Sequence, residues 1–275
     1  MAIRPVFEKE ANEEIKNLYR KLKEALKLDS LPLFFAYLGA FPEYFRYIAQ
    51  QIDNLAKNHE FNKLCGETAT EIEKELTEKL TISEELENWL NRYKYSPAFY
   101  NFQKDLQHIF LSNVKLTFIF IALREAVKGW AVASKKLSGE VKINAQTAKE
   151  TPQEDFVFDD TYAKNYSIEA RKGEIAAAGE SALEKDLLPE YLVLCRRDFI
   201  DVLKNEDFLR LRVQIEQKFL NDLALLPESI YSPINVVLQY TSKYPDFPDL
   251  LYLLTEHFPT YAVQRMLFSG YMIKG

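Results

Sequence analysis

An internal repeat with a separation of 147 residues is the feature that most constrains what this chain can fold into. At this separation Pro42 aligns with Pro189, and residues 42–80 align with 189–227 without a gap, with eight identities in 39 positions. The identical pairs are Pro42/Pro189, Glu43/Glu190, Tyr44/Tyr191, Lys57/Lys204, Asn58/Asn205, Phe61/Phe208, Leu64/Leu211 and Leu76/Leu223. The apolar positions also coincide, so the two stretches share one helical phase over about eleven turns. This indicates a duplicated helical unit; the alternative is that two amphipathic helix pairs look alike because such helices generally do.

Apolar residues recur at helical spacing through most of the chain, which predicts α-helices. In the first half we expect helices over about 11–27, 42–57, 61–76, 84–93, 97–110 and 113–136, with a short apolar helix in LFFAYLGAF. Pro42 fits the first position of its helix, where a missing N–H costs nothing. In the second half, helical patterns begin at about Ser167, Pro189, Glu206, Ser232, Asp246 and Pro259.

Residues 137–163 are polar and show no regular period, which is typical of a linker that crosses a surface. The sequence therefore predicts an all-α fold with an N-terminal repeat (1–136), this linker (137–163) and a C-terminal repeat (164–275). Two repeats of this size form a pseudo-dimer about a pseudo-twofold axis rather than a solenoid, and we expect one compact unit overall.

The composition of the chain excludes several classes of protein. At 47% apolar residues the chain of 275 can bury a large core, and eight glycines is a low count that favours helices over glycine-rich β or Rossmann turns. The formal charge of −6 argues against non-specific binding of nucleic acid. The first residues lack the apolar core of a signal peptide, and the longest strongly apolar stretch, Leu116–Leu123, is too short to span a membrane. We expect a cytoplasmic protein with no membrane partner.

Metal, redox and nucleotide chemistry have no sequence signature here. Cys65 and Cys195 form neither a CxxC pair nor a disulfide framework and are typical of buried thiols in a reducing compartment. Three scattered histidines (His59, His108, His257) do not predict a metal site. The phosphate-binding glycine loops, HExxH and GxSxG are missing from the sequence. We therefore predict no cofactor and no metal.

Four segments carry a resemblance to a known family: IKNLYRKLKEAL, LPLFFAYLGAFPEYFRYI, HIFLSNVKLTFIFIALREAVKG and the second PEYL. Together they resemble the group I 2-haloacid dehalogenases, the DehI-like proteins, and more distantly the AhpD-like helical fold. The resemblance covers nearly the whole chain and implies an all-helical chain with two repeats. It also implies hydrolysis of the carbon–halogen bond at C2 of small haloacids by direct attack of water, without an ester intermediate.

The resemblance assigns site residues. Asn113, in FLSNVKLTF, matches the place of the family's water-positioning asparagine; the structural alternative is a helix N-cap. Phe34, Phe35 and Tyr37 of the first repeat would form the aromatic wall that removes water from the halogen, or else plain core. Tyr252 and Tyr261 would face them from the second half.

The sequence departs from the family at the catalytic base. The family has a serine–aspartate pair about eight residues before the second proline-aromatic motif, whereas this chain has Glu180-Ser181 before Pro189. A shift of one residue turns a helical side chain by about 100°. Glu180 is therefore the candidate base only if the helix start shifts by one residue, and otherwise it points to solvent or caps the helix. Ser181, which aligns with Phe34 in the repeat, would line the same pocket.

These observations lead to one main hypothesis and two alternatives. The main one is a hydrolase resembling 2-haloacid dehalogenases, with Glu180 as base, Asn113 as water holder and a small carboxylic acid as substrate. The second is a non-catalytic helical scaffold or small-acid binder that has lost the catalytic aspartate. The third is a different hydrolytic or decarboxylative reaction in the same cleft. Homo-oligomerisation is left open.

Overall fold

A computed structural model of the protein describes residues 3–129 and 184–274. The described residues are mostly helical and include no β-strand, which confirms the all-α prediction. Before the gap lie α1 (Glu13–Leu26), α2 (Leu33–Gly39), α3 (Pro42–Lys57), α4 (His59–Lys79), α5 (Glu84–Tyr93) and α6 (Pro97–Val127). After it lie α7 (Glu184–Val202), α8 (Glu206–Asp222), α9 (Ile234–Lys243), α10 (Phe247–Tyr252) and α11 (Phe258–Lys274). A 3-10 turn (Leu223–Leu225) follows α8, and a π-helical turn (Leu253–His257) joins α10 to α11. The predicted linker, 137–163, lies outside the described residues.

Side-chain caps fix where several helices begin. Asn58 Oδ1 accepts from the backbone N–H of Glu60 at the start of α4, and Ser83 Oγ accepts from that of Leu86 at the start of α5. Each cap satisfies a donor that the first turn leaves unpaired. The predicted bounds of α3 and α5 are confirmed, with Pro42 at the first turn of α3.

Residues 97–127 form one helix, although the sequence predicts a break between 110 and 113. Asn113 lies in the interior of α6 and is 2% exposed, so its interpretation as an N-cap is wrong. Its side chain bonds to another helix, and neighbouring helices bury this part of α6. That burial stabilises a continuous helix more than a local cap would stabilise a new start.

Two prolines that predict helix starts lie inside helical runs. α7 already includes Glu184, five residues before Pro189. Before Pro259, the N–H of Phe258 donates to the carbonyl of Leu253 in the π-helical turn. Proline has no N–H, and its ring crowds the carbonyl four residues earlier, so a locally widened turn lets the chain stay helical.

Helix α6 is the centre of the fold. Every residue from Val114 to Leu123 is buried, in agreement with a sequence that is apolar on all sides rather than along one stripe. α11 makes the most extensive contact with α6, and α4, α7, α8 and the π-helical turn also touch it. A buried helix of this kind holds its side chains in fixed rotamers, which suits it to position a functional group.

By length and composition the segment Phe99–Val127 could cross a membrane, since an 18-residue window has a mean hydropathy of 1.5. This segment is much longer than the apolar stretch recognised in the sequence. However, 78% of that window is buried inside the protein, as in the core helix of a globular fold.

Candidate functional site

A buried polar cluster lies between α6 and α11. Asn113 Nδ2 donates to Ser269 Oγ at 2.9 Å, and Arg265 Nε donates to Asn113 Oδ1 at 3.1 Å. Ser269 Oγ donates in turn to the carbonyl of Met266 at 2.8 Å. Asn113 and Ser269 are buried, and Arg265 is partly buried. We call Asn113, Arg265 and Ser269 the polar cluster.

The hydrogen-bond directions fix the orientation of the Asn113 amide. A serine hydroxyl carries one proton, and that of Ser269 goes to the carbonyl of Met266. Ser269 Oγ must therefore accept from Asn113, which turns the amide oxygen toward the Arg265 guanidinium, an obligate donor. The amide group as a whole can form four hydrogen bonds, two as donor and two as acceptor. An amide held in one orientation is the kind of group that can place a water molecule in a defined direction.

An aromatic cluster adjoins the polar one. The ring centroid of Phe34 on α2 lies 4.4 Å from that of Phe120, 5.1 Å from that of Phe258 and 5.4 Å from that of Tyr261. Tyr37 contacts Phe258 at 5.9 Å between ring centroids. Phe35 contacts Phe120 at 5.7 Å. We call these six residues the aromatic cluster.

One face of α11 joins the two clusters. Tyr261, Arg265 and Ser269 are spaced by four residues and so lie on the same face of the helix. On α6, Thr117 Oγ1 donates to the carbonyl of Asn113 at 2.8 Å and lies 3.2 Å from that of Ala262 on α11. The site thus has a cationic, hydrogen-bonding end and an aromatic end about one turn of helix apart.

A close contact with α1 fixes the position of α2, which supplies half of the aromatic cluster. Tyr19 Oη donates to the carbonyl of Val6 at 2.6 Å and lies 3.3 Å from that of Phe35. A Cβ on Gly39 would lie 2.1 Å from the same hydroxyl. Glycine at this position therefore lets α2 approach α1 closely enough for the Tyr19 hydroxyl to hold it.

The structure brings most of the predicted site residues together. Asn113, Phe34, Phe35, Tyr37 and Tyr261 all lie in the two adjoining clusters. Tyr252 lies apart from them: it is 55% exposed and its ring contacts that of His257 at 5.0 Å between centroids, and its role as a pocket residue stays a prediction. The π-helical turn lies between Tyr252 and α11. Its extra residue rotates the side chains of α10 relative to those of α11 about the helix axis. Glu180 and Ser181 lie outside the described residues.

Sequence reasoning missed Arg265 and Ser269. The signal was present in FPTYAVQRMLFSGYMIK, where Arg265 interrupts an apolar helix and stands four residues from both Tyr261 and Ser269. A charged residue on a helix this apolar requires a polar partner, which is itself an indication of a site.

The cysteines are poor candidates for nucleophiles. Cys65 and Cys195 are both fully buried, and burial raises the pKa of each thiol to about 12. The thiolate is the reactive form, so neither thiol is activated at neutral pH. Among residues 3–129 and 184–274, no group of three or more His, Cys, Asp or Glu side chains is arranged to hold a metal ion.

Comparisons with known proteins agree with this architecture at the level of fold. No protein-family model and no curated protein match the sequence. Three solved chains match the structure, each at 16% sequence identity. A D-2-haloacid dehalogenase mutant in complex with D-2-CPA has a TM-score of 0.64, over 99% of this chain and 94% of that one. A D-2-haloacid dehalogenase mutant has a TM-score of 0.66, over 98% and 94%. A D-2-haloacid dehalogenase in complex with L-LA has a TM-score of 0.65, over 99% and 95%. The chain therefore has a haloacid dehalogenase-like fold.

Proposed function

We propose that the chain is a hydrolase that cleaves the carbon–halogen bond at C2 of small 2-haloacids. The observation that carries the proposal is the polar cluster: Asn113 is buried, held in one orientation and placed beside an aromatic cluster. The match to D-2-haloacid dehalogenase structures over nearly the full chain supports it. The substrate class is a small carboxylic acid, and no cofactor, metal, nucleic acid or membrane takes part.

The proposed reaction is a direct displacement by water. Asn113 holds a water molecule, and a carboxylate, for which we propose Glu180, takes its proton as the water oxygen attacks C2. The C2–halogen bond breaks, the halide leaves with the bonding pair, and the product is the 2-hydroxy acid. Phe34 and Tyr261 would keep water away from the halogen and alkyl group, with Ser181 lining the same pocket. Attack opposite to the halide inverts the configuration at C2.

The repeated, pseudo-dimeric architecture is part of the proposal, with halves 1–136 and 164–275. Asn58 and Asn205, which align in the repeat, both cap a helix by accepting the N–H two residues ahead at 2.8 Å. Gln51 aligns with Asp198, and each accepts a backbone N–H from the other half. Gln51 Oε1 accepts from Tyr231 at 2.7 Å, and Asp198 Oδ2 accepts from Ser83 at 2.9 Å.

The aligned tyrosines of the repeat also make matching contacts. The ring centroids of Tyr44 on α3 and Tyr240 on α9 are 5.3 Å apart, and those of Tyr191 on α7 and Trp89 on α5 are 5.1 Å apart. Each contact joins a helix of one half to a helix of the other. Reciprocal contacts of this type are what a twofold relation between two halves produces, which supports the duplication over a chance likeness of helices.

The alternative function is a small-acid binder without turnover. The close ring contacts around Phe34 favour it, since they show a well-filled aromatic cluster in the described residues. In that case the polar cluster would hold an acid and no base would act on it. A third possibility, another hydrolytic or decarboxylative reaction, would use the same cleft. Localisation in the cytoplasm is proposed with each of them.

The test is halide release from both enantiomers of 2-chloro- and 2-bromopropanoate. We expect release by the wild type and its loss in Glu180→Gln and Asn113→Ala. Glu78→Gln and Asn91→Ala, both on exposed helix surfaces, are the matched controls and should retain activity. No release by a folded wild type would contradict the hydrolase, and binding of the acids without release would identify the small-acid binder.

A further inference from the structure

An open groove lies on the surface between α3 of the first half and α9 of the second. Its volume is about 510 Å³, within the usual range for ligand sites. The lining residues are Glu43, Arg46, Tyr47, Gln50, Gln51 and Tyr240. None of them belongs to the polar or the aromatic cluster, so the groove is separate from the proposed reaction site.

The repeat supplies a second junction of this kind, between α7 and α5, which differs at two aligned positions. Gln50 aligns with Arg197, which pairs with Glu85 across that junction, whereas Gln50 has no partner on α9 among the described residues. Tyr47 aligns with Leu194, which is buried, whereas Tyr47 is partly exposed. The first half therefore presents two polar side chains to the surface where the second half has an ion pair and a core residue.

The charged groups of the groove are already paired with other side chains. Glu43 pairs with Lys243 of α9, and Arg46 pairs with Glu14 of α1. Each pair is neutral, so the groove as a whole has no net charge. Charge complementarity therefore favours a neutral occupant over an ionic one.

The hydrogen-bonding groups that remain in the groove are neutral and include donors. Within residues 3–129 and 184–274, the hydroxyls of Tyr47 and Tyr240 and the amide of Gln50 have no hydrogen-bonding partner, and each can donate. The amide of Gln51 is engaged: it accepts from the N–H of Tyr231 at 2.7 Å and donates to the carbonyl of the same residue at 3.1 Å. Gln51 thus forms a fixed wall, and the groove is preformed.

Of the common modes of peptide recognition, this lining fits one. Strand addition needs a sheet edge, and the described residues include no strand. An amphipathic helix needs a hydrophobic groove, whereas this one is lined by tyrosines and by polar or charged side chains. Proline-rich segments bind to aromatic-lined grooves in the polyproline II conformation. Proline has no N–H, so its carbonyls need donors, which the groove provides.

The length of the groove matches a short stretch of polyproline II helix. From Glu43 to Gln51, α3 rises by about 12 Å. Polyproline II rises by about 3.1 Å per residue, so about four residues span this distance. The open side of the groove leaves the outer face of such a segment in water, where this conformation keeps its backbone solvated.

We propose that the groove between α3 and α9 binds a neutral, proline-rich segment of another protein in the polyproline II conformation. Proline rings pack on the rings of Tyr47 and Tyr240, and carbonyls of the segment accept from the two hydroxyls and from Gln50. The inference is independent of the proposed reaction, because it uses a different surface and other residues.

The test is titration calorimetry of the full chain with acetylated decaproline amide, which is neutral. A capped decapeptide of alternating glycine and serine is the flexible control, and we expect it to bind at least about tenfold more weakly. Tyr47→Ala should weaken the binding of decaproline by about tenfold or more. Tyr95→Ala, at an 86% exposed tyrosine outside the groove, should bind decaproline as the wild type does.

A second variant covers the case in which Tyr47→Ala does not fold. Gln50→Ala changes an exposed side chain and should weaken the binding of decaproline by about threefold, with Gln239→Ala on the exposed side of α9 as the control. Three results would each overturn the inference: no binding of decaproline by the folded wild type, equal binding of the two peptides, or unchanged binding in both Tyr47→Ala and Gln50→Ala. Binding of maltotetraose in place of decaproline, with loss in Tyr47→Ala, would overturn it in favour of a carbohydrate site.

Discussion

At the scale of single residues, two of the buried polar side chains of α6, Asn113 and Lys115, have different surroundings. Asn113 is 2% exposed and bonds to both Ser269 and Arg265. Lys115 is 5% exposed, and burial lowers the pKa of its ammonium group; Cys65 partly offsets this shift and Lys27 adds to it. A buried amide with partners favours the folded state, whereas a buried ammonium with a lowered pKa opposes it.

Lys115→Met is expected to stabilise the protein. A lysine whose pKa is lowered on folding costs free energy while it stays protonated, and that cost grows as the pH falls below the pKa of the unfolded chain. Methionine keeps the length without the charge, so we expect an increase of about 1–2 kcal/mol in the free energy of unfolding at pH 7. Chemical denaturation measures it, with Lys63→Met on the exposed face of α4 as the control. An unchanged or lower stability would show that the ammonium is well solvated in the fold.

Ser269→Ala should disturb Asn113 without touching it directly. Asn113 Nδ2 loses its acceptor at 2.9 Å, and a buried unsatisfied donor costs about 1–3 kcal/mol. If Asn113 holds the attacking water, the rate of halide release should fall by more than the smaller fraction of folded protein can explain. Ser242→Ala is the matched control, since its hydroxyl donates to the carbonyl of Leu238 at 2.9 Å on an exposed helix face. Equal halide release by the two variants would argue against the orienting role of Ser269.

At the scale of helices, close approach between elements positions the site. α2 lies against α1 because Gly39 leaves room for the Tyr19 hydroxyl, and α2 carries Phe34 and Tyr37 into the aromatic cluster. The site therefore depends on a glycine that does not belong to it.

Two glycine substitutions should have opposite effects on stability. Gly39→Ala places a Cβ 2.1 Å from Tyr19 Oη, so either the hydroxyl or α2 must move, at a cost of about 2 kcal/mol. Gly66→Ala in α4 has no atom within 4 Å of the new Cβ and should stabilise the helix by about 1 kcal/mol. Thermal unfolding of both variants checks this. A Gly39→Ala protein as stable as the wild type would mean that α1 and α2 separate without penalty.

Local sequence signals predicted the helices and failed where tertiary contacts override them. Pro42 predicts the start of α3 correctly, because a first-turn proline acts within one turn, and the cap at Ser83 acts over the same short range at the start of α5. Asn113 was assigned to a helix start on the same kind of signal, yet its partners lie more than 150 residues ahead on α11. The family resemblance selected the aromatic residues around Phe34. Arg265 needed a different signal, since its importance comes from the helix that it faces.

At the scale of the whole molecule, the core buries several ionisable hydroxyls and thiols. Burial raises the pKa of the Tyr44, Tyr191 and Tyr271 hydroxyls, and that of the Cys65 and Cys195 thiols to about 12. Above about pH 9 the unfolded chain loses protons that the folded chain keeps. The contribution of these buried hydroxyls and thiols to the free energy of unfolding is therefore present at neutral pH and is lost as the pH rises.

The free energy of unfolding should consequently fall steeply between about pH 9 and pH 12. Tyr44→Phe removes one of these protons and should make the slope shallower by up to about 1.4 kcal/mol per pH unit above pH 10. Its stability at pH 7 supplies the baseline, because it measures the loss of the 2.9 Å hydrogen bond between Tyr44 and Ser232. Denaturation curves at a series of pH values check this. Parallel slopes for the two proteins would show that Tyr44 ionises equally in both states.

The position of α11 along the chain determines when the core can close. α6 ends at Val127, and its main covering helix begins at Phe258, more than 130 residues later. Contacts this far apart in sequence slow folding. During synthesis, α6 is complete many seconds before residues 258–274 leave the ribosome. Over that time the apolar side of α6 that α11 covers is exposed to water. Over that time Arg265 is also absent, so Asn113 finds its orienting partner only when the core closes.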